Sequence, residues 1–193
     1  MSSRRLLTIG AVTIVALGAI GLVLLRAPRL SSRATATPRA AAAPPSAAPA
    51  PPGRKIKARL FYVADDGMRL TGVERDIAYG DGATAQAREI VAAQIAAVAA
   101  PLVSAVPAGT GLRAVFLTEG GEAYVDLSRE VVSAHPGGTL NELLTVYTIV
   151  NALTVNLPAV TAVQLLVDGK EVETLAGHVD LRQPLAKNLS WVQ

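Results

Sequence analysis

Hydrophobic side chains are distributed along this chain in three ways: one unbroken run, one stretch nearly devoid of large apolar residues, and a series of short alternating or helical patterns. From Leu6 to Leu25 every residue is apolar, glycine or threonine. As helix at about 1.5 Å per residue this run is about 30 Å long, the hydrocarbon thickness of a bilayer. It predicts a transmembrane helix or uncleaved signal anchor over 6–25, after a short N-terminal tail at 1–5. Small residues at Ala34-Thr35-Ala36 fit a cleaved signal peptide, and Ser3-Arg4-Arg5 faintly resembles a twin-arginine export signal. The apolar run nevertheless exceeds the usual signal-peptide core of about 7–15 residues. Residues 27–54 hold ten alanines, seven prolines, no acid and a single large aliphatic, Leu30. Such a stretch buries too little surface to fold, so 26–54 reads as a disordered Ala/Pro-rich linker with an extended reach of up to roughly 85 Å.

From Lys55 the pattern becomes that of a folded domain, expected over 55–185 and followed by a C-terminal tail at 186–193. Ile56, Ala58, Leu60 and Tyr62 alternate as one face of a strand, and Asp65-Asp66-Gly67 turns the chain into a second strand over Met68 to Tyr79. Thr84 is placed to cap a helix whose Ala87, Val91, Ile95 and Val98 share a face, ending before Pro101. Leu112–Leu117 and Glu122–Leu127 predict a hairpin across Thr118–Gly121. Gly137-Gly138 leads into a second helix in which Thr139 and Glu142 fit a capping box and Leu140, Leu143, Leu144, Tyr147 and Val150 form the apolar stripe. Pro158 bounds it, and Ala162–Val167 and Lys170–Leu175 form a last hairpin across Asp168-Gly169. The predicted architecture is α/β (α+β), a small mixed sheet with two helices packed on it in the order β-β-α-β-β-α-β-β. The uncharged stretch between Glu89 and Arg113 is not a second span, because Gln94, Pro101 and Pro107 interrupt it.

Charge changes the picture. The net +3 and pI near 9.5 suggest an anionic partner, yet seven arginines and no acid lie in residues 1–54. Eleven of the eighteen basic side chains remain beyond them against fifteen acidic ones, and they are scattered singly. That excludes a phosphate-tracking surface and hence a nucleic-acid partner. The absence of cysteine excludes disulfides, thiolate metal sites, a cysteine nucleophile and lipid attachment at a signal-peptide cysteine.

Catalytic chemistry finds little footing. Gly80-Asp81-Gly82-Ala83-Thr84-Ala85 fits the form of a dinucleotide-binding turn, but no second parallel strand with a terminal acid follows at the required distance. His135 and His178 are too few for a zinc site, and no nucleophile elbow surrounds Ser128. Asp126 and Asp180 are the one conceivable carboxylate pair, with His178 as a third member. The residues thus predict no catalytic, cofactor-binding or metal site, no cofactor and no enzyme.

One set of segments points to a family. Val106-Pro107-Ala108-Gly109-Thr110, Gly121 through Ser128, Glu142, Tyr147 through Asn151, Leu153-Thr154, Pro158, Val163 through Gly169 and Gly177 through Leu181 occur in the order of a GerMN domain. The domain resembles that family, named from spore germination and sporulation proteins, over about residues 55–185. It departs at Ala152, where a hydroxyl residue is usual, and in carrying one copy where sporulation proteins carry two. The resemblance implies a bacterial, extracytoplasmic, anchored α/β domain similar to the ring-building motifs of secretion and sporulation complexes. Arginine counts around the apolar run weakly favour the opposite orientation, and the resemblance overrides them. The expected protein is a single-pass membrane protein with a non-catalytic extracytoplasmic module that binds envelope proteins or itself. The alternative is a cell-wall or small-ligand binding module assisting peptidoglycan remodelling or germination.

Overall fold

The computed structural model describes residues 53–193; the membrane helix expected over 6–25 and the linker up to residue 52 lie outside the described residues. Among the described residues no helix is long and apolar enough to cross a membrane. Two sheets form where one small mixed sheet is expected. β1 (Lys55–Val63) and β2 (Leu70–Ala78) make an antiparallel ribbon in unbroken register, with the turn at Gly67 in the left-handed region at φ 68°. The larger sheet has β3 (Leu112–Leu117), β4 (Glu122–Leu127), β5 (Ala162–Val167) and β6 (Lys170–Glu171) in that order. β7 (Leu185–Ala186) lies beside the other end of β5. β3 and β4 are antiparallel, with the predicted bounds, whereas β4 and β5 are parallel. A parallel pair needs a long crossover, here supplied by α2 (Glu130–Ser133) and α3 (Thr139–Asn156).

α1 (Ala83–Ile95) packs on α3, β1, β2 and β3, while α3 touches β1, β5 and β7. Contact on several sides corrects the expected single stripe of α3. Leu140, Leu143 and Tyr147 are only partly buried, whereas Thr145, Val146 and the whole run Thr148–Thr154 are buried. A helix covered nearly all round must satisfy interior polar groups locally. Thr154 accordingly donates to the Val150 carbonyl at 2.8 Å, and Asn151 is bonded to both the N–H and C=O of Asn188. Both helix starts also differ from expectation. Gly82 and Gly138 are the N-cap residues, and neither Thr84 nor Thr139 caps with its side chain.

The β1–β2 ribbon is tied to the helices through side-chain amides. In an antiparallel pair every second residue directs its N–H and C=O away from the partner strand. On β1 the outward groups include those of Arg59, Phe61 and Val63. Gln94 of α1 accepts from the Phe61 N–H at 2.8 Å and donates to its carbonyl at 2.7 Å. Asn156, at the end of α3, does the same for Arg59 at 2.8 Å in both directions. Thr148 adds a second bond to the Phe61 carbonyl, and Val63 N–H donates to the Val103 carbonyl. Two helices thus occupy positions on β1 that a neighbouring strand would otherwise fill. Residues 186–193, expected as a tail, are stitched to the domain: Leu70 N–H donates to the Trp191 carbonyl and Gln193 N–H to that of Leu70.

Gln94 and Phe61 are fully enclosed while Arg59 faces solvent, so the two clamps differ in worth. Replacing Gln94 by Met keeps the volume but strands the buried Phe61 N–H and leaves its carbonyl only the Thr148 bond, and should cost about 2 kcal/mol of unfolding free energy. Asn156→Ala should cost about 1 kcal/mol, because water replaces the lost amide. Denaturant titration of both variants checks the order.

Candidate functional site

The most enclosed carboxylate among the described residues is Glu142, on the first turn of α3. Its carboxylate does not turn back to the helix start as a capping box requires. It reaches the loop 173–181 instead, accepting from the N–H groups of Leu175 at 2.7 Å, Ala176 at 2.9 Å and His178 at 2.8 Å. The His178 ring nitrogen Nδ1 lies 3.2 Å from the same carboxylate. Burial pushes the Glu142 carboxyl up, but the backbone N–H groups of Ala176, His178, Leu175 and Val179 together outweigh it and hold the group below its usual value. The charge is thereby fixed as a structural anion that shapes the loop.

His135 belongs to the same neighbourhood. Its Nδ1 accepts from the Gly137 N–H at 3.0 Å, which leaves the proton on Nε2, 3.2 Å from the Thr145 hydroxyl. Burial lowers its pKa, with the Glu142 charge opposing and His178 reinforcing that shift. The ring is neutral near pH 7 and links the loop before α3 to its second turn.

The other candidates are not brought together. Asp126 is buried at the end of β4, where it accepts from Gly169 N–H at 2.7 Å and from Arg113 Nε at 3.1 Å. It secures the tight turn in which Asp168 and Gly169 both have positive φ, at 50° and 76°. Asp180 is exposed and paired with Arg182 at 2.7 Å, whose bonds hold it at a pKa of about 2. His178 and Asp180 line one shallow groove with Thr174 and Arg182, but Asp126 is not part of it. Ser128 accepts from Gly111 N–H at 2.8 Å, a bond that closes the open end of the β3–β4 hairpin. In the glycine-rich turn, a Cβ on Gly80 would lie 2.4 Å from the Ala85 carbonyl carbon. That glycine therefore serves close packing of strand end against helix start.

A different feature is left open. A groove of about 250 Å³ runs between β2 and the second half of α1, lined by Leu60, Tyr62, Arg75, Glu89, Ala93 and Ala97 among others. Tyr62 is fully buried, and its hydroxyl is a buried side-chain polar atom without a partner among the described residues. Burial raises its pKa, against the lowering effect of Arg75. Alternation places Tyr62 on the inner face, as expected, but alternation carries no information on whether a hydroxyl finds a partner. Gln94 and Gln86 carried a readable signal, being polar residues at helical spacing among Ala87, Ile90 and Val91.

Residues 59–173 match the model of the Germane family, described as sporulation and spore germination. The tandem GerMN domains of the sporulation protein GerM from Bacillus subtilis superpose with a TM-score of 0.54 at 16% identity, covering 69% of this chain and 46% of that one. The first GerMN domain of the same protein gives 0.49 at 20% identity over 68% of this chain and 97% of that one. A candidate lipoprotein from Clostridium perfringens gives 0.49 at 23%, over 69% and 88%. No curated protein matches the chain.

The Glu142 and His135 environments set an acid limit on stability. Both folded pKa values are depressed, so each group stabilises the fold above its unfolded pKa and loses that contribution as pH falls through the folded value. Thermal stability should decline below about pH 6.5 as His135 charges, and again below about pH 4 as Glu142 is protonated. Glu142→Gln should cost about 3 kcal/mol at neutral pH and flatten the lower of the two steps. Melting temperature measured against pH checks both points.

Proposed function

The chain belongs to the Germane family of sporulation and spore germination domains, and on that premise we propose that it is a membrane-anchored, non-catalytic interaction or assembly module of the bacterial cell envelope. The observation that carries this reading is where the candidate catalytic groups are engaged. Glu142, His135 and Asp126 are bonded to backbone N–H groups, and Asp180 to Arg182. A general acid or base needs a proton-accepting atom facing a substrate, and these atoms face the protein's own chain.

The placement outside the cytoplasm is supported by membership of this family, and the apolar run at 6–25 followed by a linker of Ala and Pro suits a domain held away from a membrane surface. Envelope proteins or further copies of this chain are then the partners, and nucleic acid is not.

Cross-linking in intact cells that express the full chain, followed by mass spectrometry of the membrane-purified product, tests the function. Reproducible links to itself or to one envelope protein are expected. Links to neither, together with co-sedimentation of the protein with isolated cell walls, would replace this reading with a wall-binding one. A topology reporter fused after Gln193 should be active outside the cytoplasm; activity confined to the cytoplasm would overturn the placement.

A further inference from the structure

β2 presents an edge that no described residue occupies. Because Arg59, Phe61 and Val63 point their peptide groups away from β2, their register partners Glu74, Gly72 and Leu70 point theirs away from β1. Leu70 is capped by Trp191–Gln193 at one end, and the Ala78 carbonyl receives the Gln86 amide at the other. Between these caps, Gly72, Glu74 and Asp76 direct N–H and C=O groups outward with no partner among the described residues. The opening has the length of one short strand, about 13 Å. Beside it lies the groove between β2 and α1, with the unpartnered Tyr62 hydroxyl and Arg75 in its lining.

We infer that this edge docks an extended partner peptide, added as a third strand to the β1–β2 ribbon, with one side chain ending in a carbonyl or carboxylate oxygen that displaces the neighbouring Arg75 side chain to reach the buried Tyr62 hydroxyl, from which it accepts. The inference rests on the interaction reading above and names the surface and the chemistry of its partner. Strand addition draws affinity from main-chain bonds and specificity from pockets for alternate side chains, and both elements are present here. On the groove face a peptide meets Leu60 and the small side chains Ala93, Ala96 and Ala97, which admit an intermediate-sized residue flanked by small ones. On the opposite face it meets Glu74 and Asp76, both exposed. Their cross-strand neighbours on β1 are Arg59 and Lys57, so basic residues at alternate peptide positions continue an alternating charge ladder.

A second copy of β2 fits poorly. Antiparallel pairing centred on Glu74 sets two glutamates directly opposite, which is destabilising. Pairing centred one residue earlier brings Asp76 to Leu70, where Trp191–Gln193 already sit, and one residue later brings Gly72 to Ala78, where Gln86 sits.

The probe is a capped heptapeptide in which lysines alternate with alanine, glutamine and alanine, added to the full chain in mild detergent. Amide exchange at Gly72, Glu74 and Asp76 should slow on binding, while Phe61 and Arg59, already bonded, should not change. Glu74→Pro removes an outward N–H without touching the β1 ladder, and should abolish binding with the melting temperature retained. Tyr62→Phe should weaken binding about tenfold, the worth of one hydrogen bond, as should leucine in place of the peptide's glutamine. A peptide with glutamates for its lysines should not bind. Absence of protection at the edge, or equal binding by Tyr62→Phe and by the wild-type chain, overturns the inference. Cellular cross-links that persist unchanged in Glu74→Pro would also overturn it while leaving the interaction reading standing; loss of all cross-links in the wild-type chain removes that reading itself.

Discussion

The arrangement of this domain depends on side-chain amides bonded to the backbone of β1. A two-stranded ribbon is marginal by itself, and this one is held because Gln94 and Asn156 each offer an acceptor and a donor at the spacing of a peptide group. Two residues apart on β1, Arg59 and Phe61 are gripped from α3 and α1 respectively. The same device recurs where Asn151 holds Asn188 and where Gln86 closes the end of β2. Each clamp is directional, unlike apolar contact, so it sets register and orientation as well as adhesion. It also explains how a helix as enclosed as α3 tolerates Thr145, Thr148, Asn151 and Thr154 in its interior.

Those clamps mark the limit of what the sequence made readable. The β3–β4 hairpin and the β5 strand have their predicted bounds because alternation and turn glycines are local signals. The division into two sheets was not readable, since alternation says which face a residue occupies and nothing about which strand lies beside it. Glu142 shows a different failure. Its spacing from Thr139 fits a capping box, but three backbone N–H groups more than thirty residues later compete for the same carboxylate and win. For the same reason Asp126 and Asp180, a conceivable acid pair in sequence, are separated by the turns that each one stabilises. The open edge of β2 was not legible either, because it follows from register.

Viewed by edges, the ribbon is asymmetric. On β1 the exposed peptide groups at Arg59, Phe61 and Val63 are closed by side chains and by Val103, which removes that side as a template for strand addition. On β2 the closure stops at Leu70 and resumes at Ala78. An unprotected edge is a hazard for aggregation, which natural sheets limit with short exposed lengths and charged side chains. The interval from Gly72 to Asp76 is short, and Glu74, Arg75 and Asp76 line it.

Charge on an edge restrains pairing and selects partners by the same physics. Like charges facing each other oppose a second β2, while the two acids leave a strand with basic residues favoured at alternate positions. Protection alone would require nothing of the neighbouring groove. Yet beside the groove is a buried tyrosine hydroxyl with no partner among the described residues, and leaving such a donor unsatisfied costs about 1–3 kcal/mol. Phenylalanine would fill the same space without that cost. A hydroxyl retained beside an open edge is accounted for by an acceptor that arrives with a bound strand, so the edge and the groove make sense as two parts of one recognition surface.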